Sequence, residues 1–203
     1  MKISLEQIGK KYYRHWIIRN VNFTFSAPQR YAVIGENGSG KSTFLRMLAG
    51  MLPPSKGKII HQHHEKIVED SKLFHQLSFC APALELIEEM TLREFFHFHF
   101  THKKPLLSIE EIIAETGLEK SADKMIGDFS SGMKQRVKLA QAIFADTPLL
   151  LLDEPCTNLD EAGVTQYHSW IKQFCNNKLV VVASNDKREY SFCNEIIKMA
   201  GWQ

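Results

Sequence analysis

The stretch GENGSGKST, Gly35 to Thr43, constrains this chain more than any other. It follows the apolar run YAVIG (Tyr31 to Gly35), which reads as a buried strand. It runs into KSTFLRMLAGML, which reads as a helix stopped by Pro53-Pro54. A strand, a glycine-rich turn and a helix with the spacing GxxxxGK[ST] form a loop that holds nucleotide phosphates. The glycines let successive backbone N–H groups converge on a β-phosphate. Lys41 brings a cation to the β and γ oxygens, and the Ser42 hydroxyl is placed to ligate Mg2+. Gly35, Glu36, Asn37, Gly38, Ser39, Gly40 and Thr43 complete the candidate phosphate site.

Two further apolar runs, LLLL (Leu149 to Leu152) and LVVVAS (Leu179 to Ser184), read as buried strands with a helical pattern between them. Apolar strands separated by helices predict an α/β fold with a parallel sheet covered on both faces. Asp153 falls at the carboxyl end of its strand, where ligands bind in such sheets, and its charge can hold the Mg2+ water shell. Glu154 is placed to polarise an attacking water. Between roughly Ile87 and Ala145 strand signal is scarce, which predicts a helical subdomain inserted into the core. The expected organisation is one domain over 1–203, with a core of 1–86 and 146–203 and a helical subdomain of about 87–145. A length of 203 residues and 44% hydrophobic content suit one domain with a real core. A formal charge of +2 demands no nucleic-acid partner, and none is expected. The four cysteines are far apart and read as reduced thiols in a cytosolic protein. No apolar run approaches the roughly 20 residues that span a bilayer. The start, MKISLEQIGKKYY, lacks the apolar region of a signal peptide. Work at a membrane would require another chain.

In this order, GENGSGKST, SSGMKQR, LLLLDEP and TNLD resemble the motifs of the ATP-binding cassette (ABC) ATPase family, from Tyr12 to about Asn185. The most specific is the signature, LSGGQ in its usual form. Here it is Phe129-Ser130-Ser131-Gly132-Met133, which keeps the first serine and the second glycine. The resemblance implies a P-loop NTPase core with a mostly parallel sheet, a small antiparallel β subdomain and the inserted helical subdomain. It implies ATP and Mg2+, with Lys41, Glu154 and Asn185 as the catalytic set. It also implies a head-to-tail dimer with a second cassette, identical or not. There Ser130, Ser131 and Gly132 of one copy close over the γ-phosphate on the other's loop. Each charge-assisted hydrogen bond is worth about 1.5–3 kcal/mol. A swing from 1:99 to 99:1 in closure needs only about 5.5 kcal/mol. Lys134 and Arg136 read either as lining that shared interface or as a solvated helix face. Tyr12, with Tyr13 as the neighbouring alternative, aligns with the aromatic that stacks on adenine. Asp160 resembles the aspartate that communicates across the dimer. The implied function is the ATP-binding subunit of an ABC transporter, cytoplasmic and peripheral on the inner face of the membrane through permease subunits. The compact length resembles exporter cassettes. A soluble ATPase of an assembly machine, of iron–sulfur type, and a nucleotide switch with little turnover are the alternatives.

Two positions depart from the family pattern. Pro82 stands where a glutamine usually touches Mg2+, with Glu85 as a replacement that could reach in; Gln76 reads as a surface residue before the strand. Asn185 stands where a histidine usually meets the γ-phosphate; its amide can still donate but carries no charge. HQHHE from His61 reads as a solvated loop or a strand in the small sheet rather than a metal site. The phenylalanines of REFFHFHF read mainly as core of the helical subdomain, and some could line a groove for a permease helix.

Overall fold

The computed structural model describes residues 1–202. Two long strands open the chain, β1 (Lys2–Tyr12) and β2 (His15–Ser26), paired antiparallel through a tight turn at Tyr13-Arg14. β3 (Arg30–Ile34) leads through the glycine-rich loop into α1 (Lys41–Leu48). β4 (Lys56–His63) and the short β5 (Lys66–Ile67) return beside β1, giving a four-stranded antiparallel sheet in the order β2-β1-β4-β5. After the one-turn α2 (Asp70–Leu73), β6 (Leu77–Cys80) begins the other side of the core.

Three helices then follow, α3 (Leu92–His102), α4 (Ile109–Thr116) and α5 (Ser131–Ile143). Thr91 with Glu94, and Ser108 with Glu111, form reciprocal capping boxes at the starts of α3 and α4. Ser130 caps α5 by accepting from the Met133 amide at 3.3 Å. The chain returns through β7 (Leu149–Asp153), α6 (Glu161–Phe174), β8 (Leu179–Ala183), the short α7 (Lys187–Tyr190) and β9 (Glu195–Lys198).

The second sheet is parallel throughout, in the order β6-β7-β8-β3-β9. Its central strands are apolar over Leu149 to Leu152 and Leu179 to Ala183 because both faces are covered there. Leu149, Leu151, Leu179 and Val181 face α1 and the antiparallel sheet, packed with Phe25, Phe44 and Leu45. Leu150, Leu152, Val180 and Val182 face the other side, packed with Phe96, Ile112, Val137, Tyr167 and Trp170. The parallel sheet therefore joins two hydrophobic clusters. β8 alone separates β3 from β7, so three adjacent strands deliver Gly35, Asp153 and Ser184 at one end.

Candidate nucleotide site

The phosphate loop is bent by residues that tolerate left-handed backbone. Gly38 has φ 79° and Gly40, which precedes α1, has φ 98°. At Gly40 a Cβ would overlap Ile17 Cγ2 on β2, so the hairpin of β1 and β2 rests directly on the loop. Lys41 is buried, and its Nζ donates to the carbonyls of Gly35 at 2.7 Å and Glu36 at 3.1 Å. The cation is thus held in the concavity of the loop. Ser42 is the second residue of α1, and its side chain stands close enough to the Asp153 carboxylate to lower its pKa.

Asp153 is 4% exposed. Burial pushes its carboxyl above the usual range, against the pull of Ser42; Glu154 pushes it further up, and Lys41 and Arg46 pull it down. Its Oδ1 is buried with no hydrogen-bond partner among the described residues. A buried acceptor left in that state costs about 1–3 kcal/mol, which a cation would offset. Hard oxygen donors from Ser42 and Asp153 suit Mg2+, and these two residues could hold it.

Glu154 follows in left-handed backbone, φ 45°, with its amide on the Ala183 carbonyl at 2.9 Å. Non-glycine residues in that region are held there by their surroundings, and such outliers cluster at functional sites. The bend turns Glu154 into a cleft of about 220 Å3 that Asn37, Gly38, Gly40, Lys41, Ser42 and Thr43 also line. From β8, Asn185 donates through Nδ2 to Asn37 Oδ1 at 3.2 Å, so it meets the loop itself. The fold therefore brings Gly35 to Thr43, Asp153, Glu154 and Asn185 together.

The remaining expected residues lie outside that cleft. Ser130 and Ser131 are exposed at the start of α5. Gly132 is needed there because a Cβ would come within 3.0 Å of the Asn158 carbonyl. Asp160 caps α6, accepting from the Gly163 amide at 2.8 Å, and that bond holds its carboxyl below the usual range. Tyr12 stands at the hairpin tip with its ring half-exposed, 5.4 Å from Lys10 Nζ, while Tyr13 projects fully into solvent.

Residues 18–157 match the ABC transporter family. This chain belongs to that family. The cassette is 31% identical to each of two uncharacterised ABC transporter ATP-binding proteins of Bacillus subtilis, YxlF and YybJ. Each match covers 97% of this chain, with 67% of YxlF and 92% of YybJ. Its fold superposes with TM-score 0.83 on a dimeric ATP-binding cassette solved in a post-hydrolysis state with ADP and Pi. That chain is 23% identical, and the match spans 97% of the cassette and 93% of the other chain. The α/β architecture expected from the sequence is thus the ABC cassette fold.

Several side-chain expectations need correction. Lys134 and Arg136 both carry ion pairs on α5 that neither reading had specified. Lys134 pairs with Glu88 at 2.6 Å, and Arg136 pairs with Asp160 at 3.3 Å. Glu85 does not replace the missing glutamine, because it lines a groove beside Leu77 and Phe79 rather than the phosphate cleft. His61 is not solvated: it sits on β4 with its ring buried, donating to the Leu48 carbonyl at 2.8 Å. Gln76 is only half-exposed, with its Oε1 buried.

Three residues that the sequence reading passed over hold the cassette site together. Gln135 is 3% exposed and donates to the Pro155 carbonyl at 2.6 Å, fastening α5 to the segment after Glu154. Lys138 donates to the Pro82 carbonyl at 3.0 Å, so position 82 is held through its main chain. Glu189 is buried between the ends of β7 and β8. The motif spacing carries no signal for Lys138 or Glu189; Gln135 sits inside SSGMKQR, where a polar residue on a buried helix face was the available hint.

Proposed function

We propose that this cassette binds and hydrolyses MgATP as the nucleotide-binding subunit of an ABC transporter. The observation that carries the reading is the convergence of Lys41, Ser42, Asp153, Glu154 and Asn185 on one end of the parallel sheet. In the proposed reaction the oxygen of a water forms a bond to the γ-phosphorus. The bond from that phosphorus to the bridging β–γ oxygen breaks, leaving ADP and phosphate. Glu154 aligns the water, accepts the proton it loses as the new bond forms, and passes that proton to the released phosphate. Lys41 leaves the loop carbonyls for the β and γ oxygens, and the loop amides hold the β-phosphate. Asn185 donates its amide to the γ-phosphate in place of an imidazole. Ser42 and Asp153 would hold Mg2+, which when bound would supply positive charge against the phosphate oxygens. The half-exposed ring of Tyr12 offers a stacking face for adenine.

The exposed cap at Ser130 to Gly132 supports a head-to-tail dimer, because it stands open to a second copy instead of lining its own cleft. Each copy would then close the site of the other, with Asp160 beside the joint. A groove of about 260 Å3 between β6 and α3, lined by Met51, Phe74, Phe79 and Leu84, supports docking of a permease helix. Among the described residues no helix is long and apolar enough to cross a membrane. Peripheral attachment at the cytoplasmic face through that groove fits this. The reading divides the chain into a core of 1–86 and 146–203 and a helical subdomain of about 87–145.

The deciding experiment is phosphate release by the purified cassette, alone and with a co-expressed permease. Turnover that Glu154→Gln abolishes while ATP binding persists is the expected result. In that variant, size-exclusion chromatography with light scattering should show a dimer at saturating ATP. Phosphate release absent in the wild type under both conditions would leave a nucleotide switch as the function. A Glu154→Gln protein that stays monomeric with ATP would overturn the dimer.

A further inference from the structure

Glu189 is a carboxylate that the proposed chemistry does not use, yet it is 5% exposed. Burying an acid is costly unless donors meet it. No cation pairs with it among the described residues; the neighbouring Arg188 is bound to Asp186 at 2.6 Å. What it has instead is a main-chain donor from the segment just beyond β7. Its Oε1 accepts from the Cys156 amide at 2.7 Å, while the Ser184 hydroxyl donates to the Asp186 carbonyl at 3.4 Å and accepts from the Asp186 amide at 2.9 Å. Cys156 lies two residues after Glu154, and Ser184 directly precedes Asn185.

The carboxylate is itself fixed. The Glu189 amide donates to the Asp186 carbonyl at 3.0 Å, closing α7. The Glu189 carbonyl accepts from the buried Tyr167 hydroxyl of α6, also at 3.0 Å. On the side facing the cleft, the Glu154 amide binds the Ala183 carbonyl at 2.9 Å. The ends of β7 and β8 are therefore pinned twice, once through the main chain and once through Glu189. The second pin reaches the phosphate loop as well, because Asn185 holds Asn37.

We propose that Glu189 is a positioning residue for hydrolysis, holding the segments of Glu154 and Asn185 at a fixed separation across the cleft. The proposal rests on the ATPase reading above. Glu189 touches neither the nucleotide nor the water. It sets where the two residues that do so stand, in the left-handed backbone that Glu154 would otherwise leave.

The test compares Glu189→Ala with Glu189→Gln in the full chain. Glutamine can accept from the Cys156 amide through its oxygen, so it should preserve the tie. Alanine leaves the Cys156 amide without its acceptor. For Glu189→Ala, kcat should fall by about 10- to 100-fold, the scale of misplacing a reacting group by an ångström. Binding of a fluorescent ATP analogue should change by less than about threefold, because the phosphate loop is intact. Glu189→Gln should restore kcat to within about threefold of wild type. Hydrogen exchange in nucleotide-free protein gives a readout independent of turnover. Peptides covering 154–160 and 183–188 should exchange faster in the alanine variant and at the wild-type rate in the glutamine variant. Unchanged exchange in both peptides would overturn the proposal, as would equal loss of kcat and affinity. If wild-type protein releases no phosphate, the ATPase reading fails, while the exchange data still decide whether Glu189 ties the two segments.

Discussion

Replacing Gly40 by alanine tests how closely the hairpin of β1 and β2 sits on the phosphate loop. Two separate costs arise there. The first is conformational: φ is 98° at Gly40, and a left-handed region costs a non-glycine residue about 1–2 kcal/mol. The second is steric, because the new Cβ would overlap Ile17 Cγ2, and overpacking costs about 1–3 kcal/mol. Together they predict a destabilisation of about 2–5 kcal/mol. Gly38 separates the terms. It has φ 79°, but a Cβ there meets nothing within 4 Å. Gly38→Ala should therefore lose only the conformational part, about 1–2 kcal/mol. The assay is urea denaturation followed by tryptophan fluorescence and circular dichroism, with Ile17→Ala and the Gly40→Ala/Ile17→Ala double variant completing a cycle. Trimming Ile17 should recover about 1–3 kcal/mol of the Gly40→Ala loss as coupling. Equal losses at Gly38 and Gly40, or no coupling with Ile17, would refute the contact.

Lys41→Ala should weaken ATP binding by at least about tenfold, measured by equilibrium dialysis, because a charge-assisted contact to phosphate is lost. Gln135→Leu keeps the volume but leaves the buried Pro155 carbonyl unmet, so denaturation should report a loss of about 1–3 kcal/mol. Lys103 lies in the groove beside Phe74, its Nζ donating to the Leu77 carbonyl, and burial pulls its pKa from 10.5 down to about 8. Between those values the unfolded chain binds the extra proton, so the contribution of Lys103 to stability rises with pH through that window and is flat below it. The stability of wild type relative to Lys103→Met should accordingly increase from pH 8 to 10; a constant difference would place the ammonium in solvent.

The parallel sheet was legible because strands covered on both faces must be apolar at every position, and LLLL and LVVVAS announce this without help from context. The phosphate loop was legible for a related reason: its turn needs glycine and its chemistry needs lysine, at fixed spacing. The antiparallel sheet was much harder to read. β1 and β2 carry register shifts, with left-handed residues at Gln7 and Asn20, and these irregularities break the alternation that marks a half-buried strand. HQH does lie on β4, but composition says nothing about which histidine of the cluster turns inward. The residues that brace the site left the faintest trace. Glu189 and Lys138 act through main-chain amides and carbonyls, which every sequence possesses, so only the fold reveals which ones they meet.

The grip of Lys138 on Pro82 has a consequence for how this joint tolerates change. The atom it holds is a peptide oxygen, present whatever residue occupies position 82. Drift at that position leaves the strut standing, whereas a shortened side chain at 138 removes it. The strut joins α5 to the segment after β6 across 56 residues of sequence, and it asks nothing of the side chain at 82.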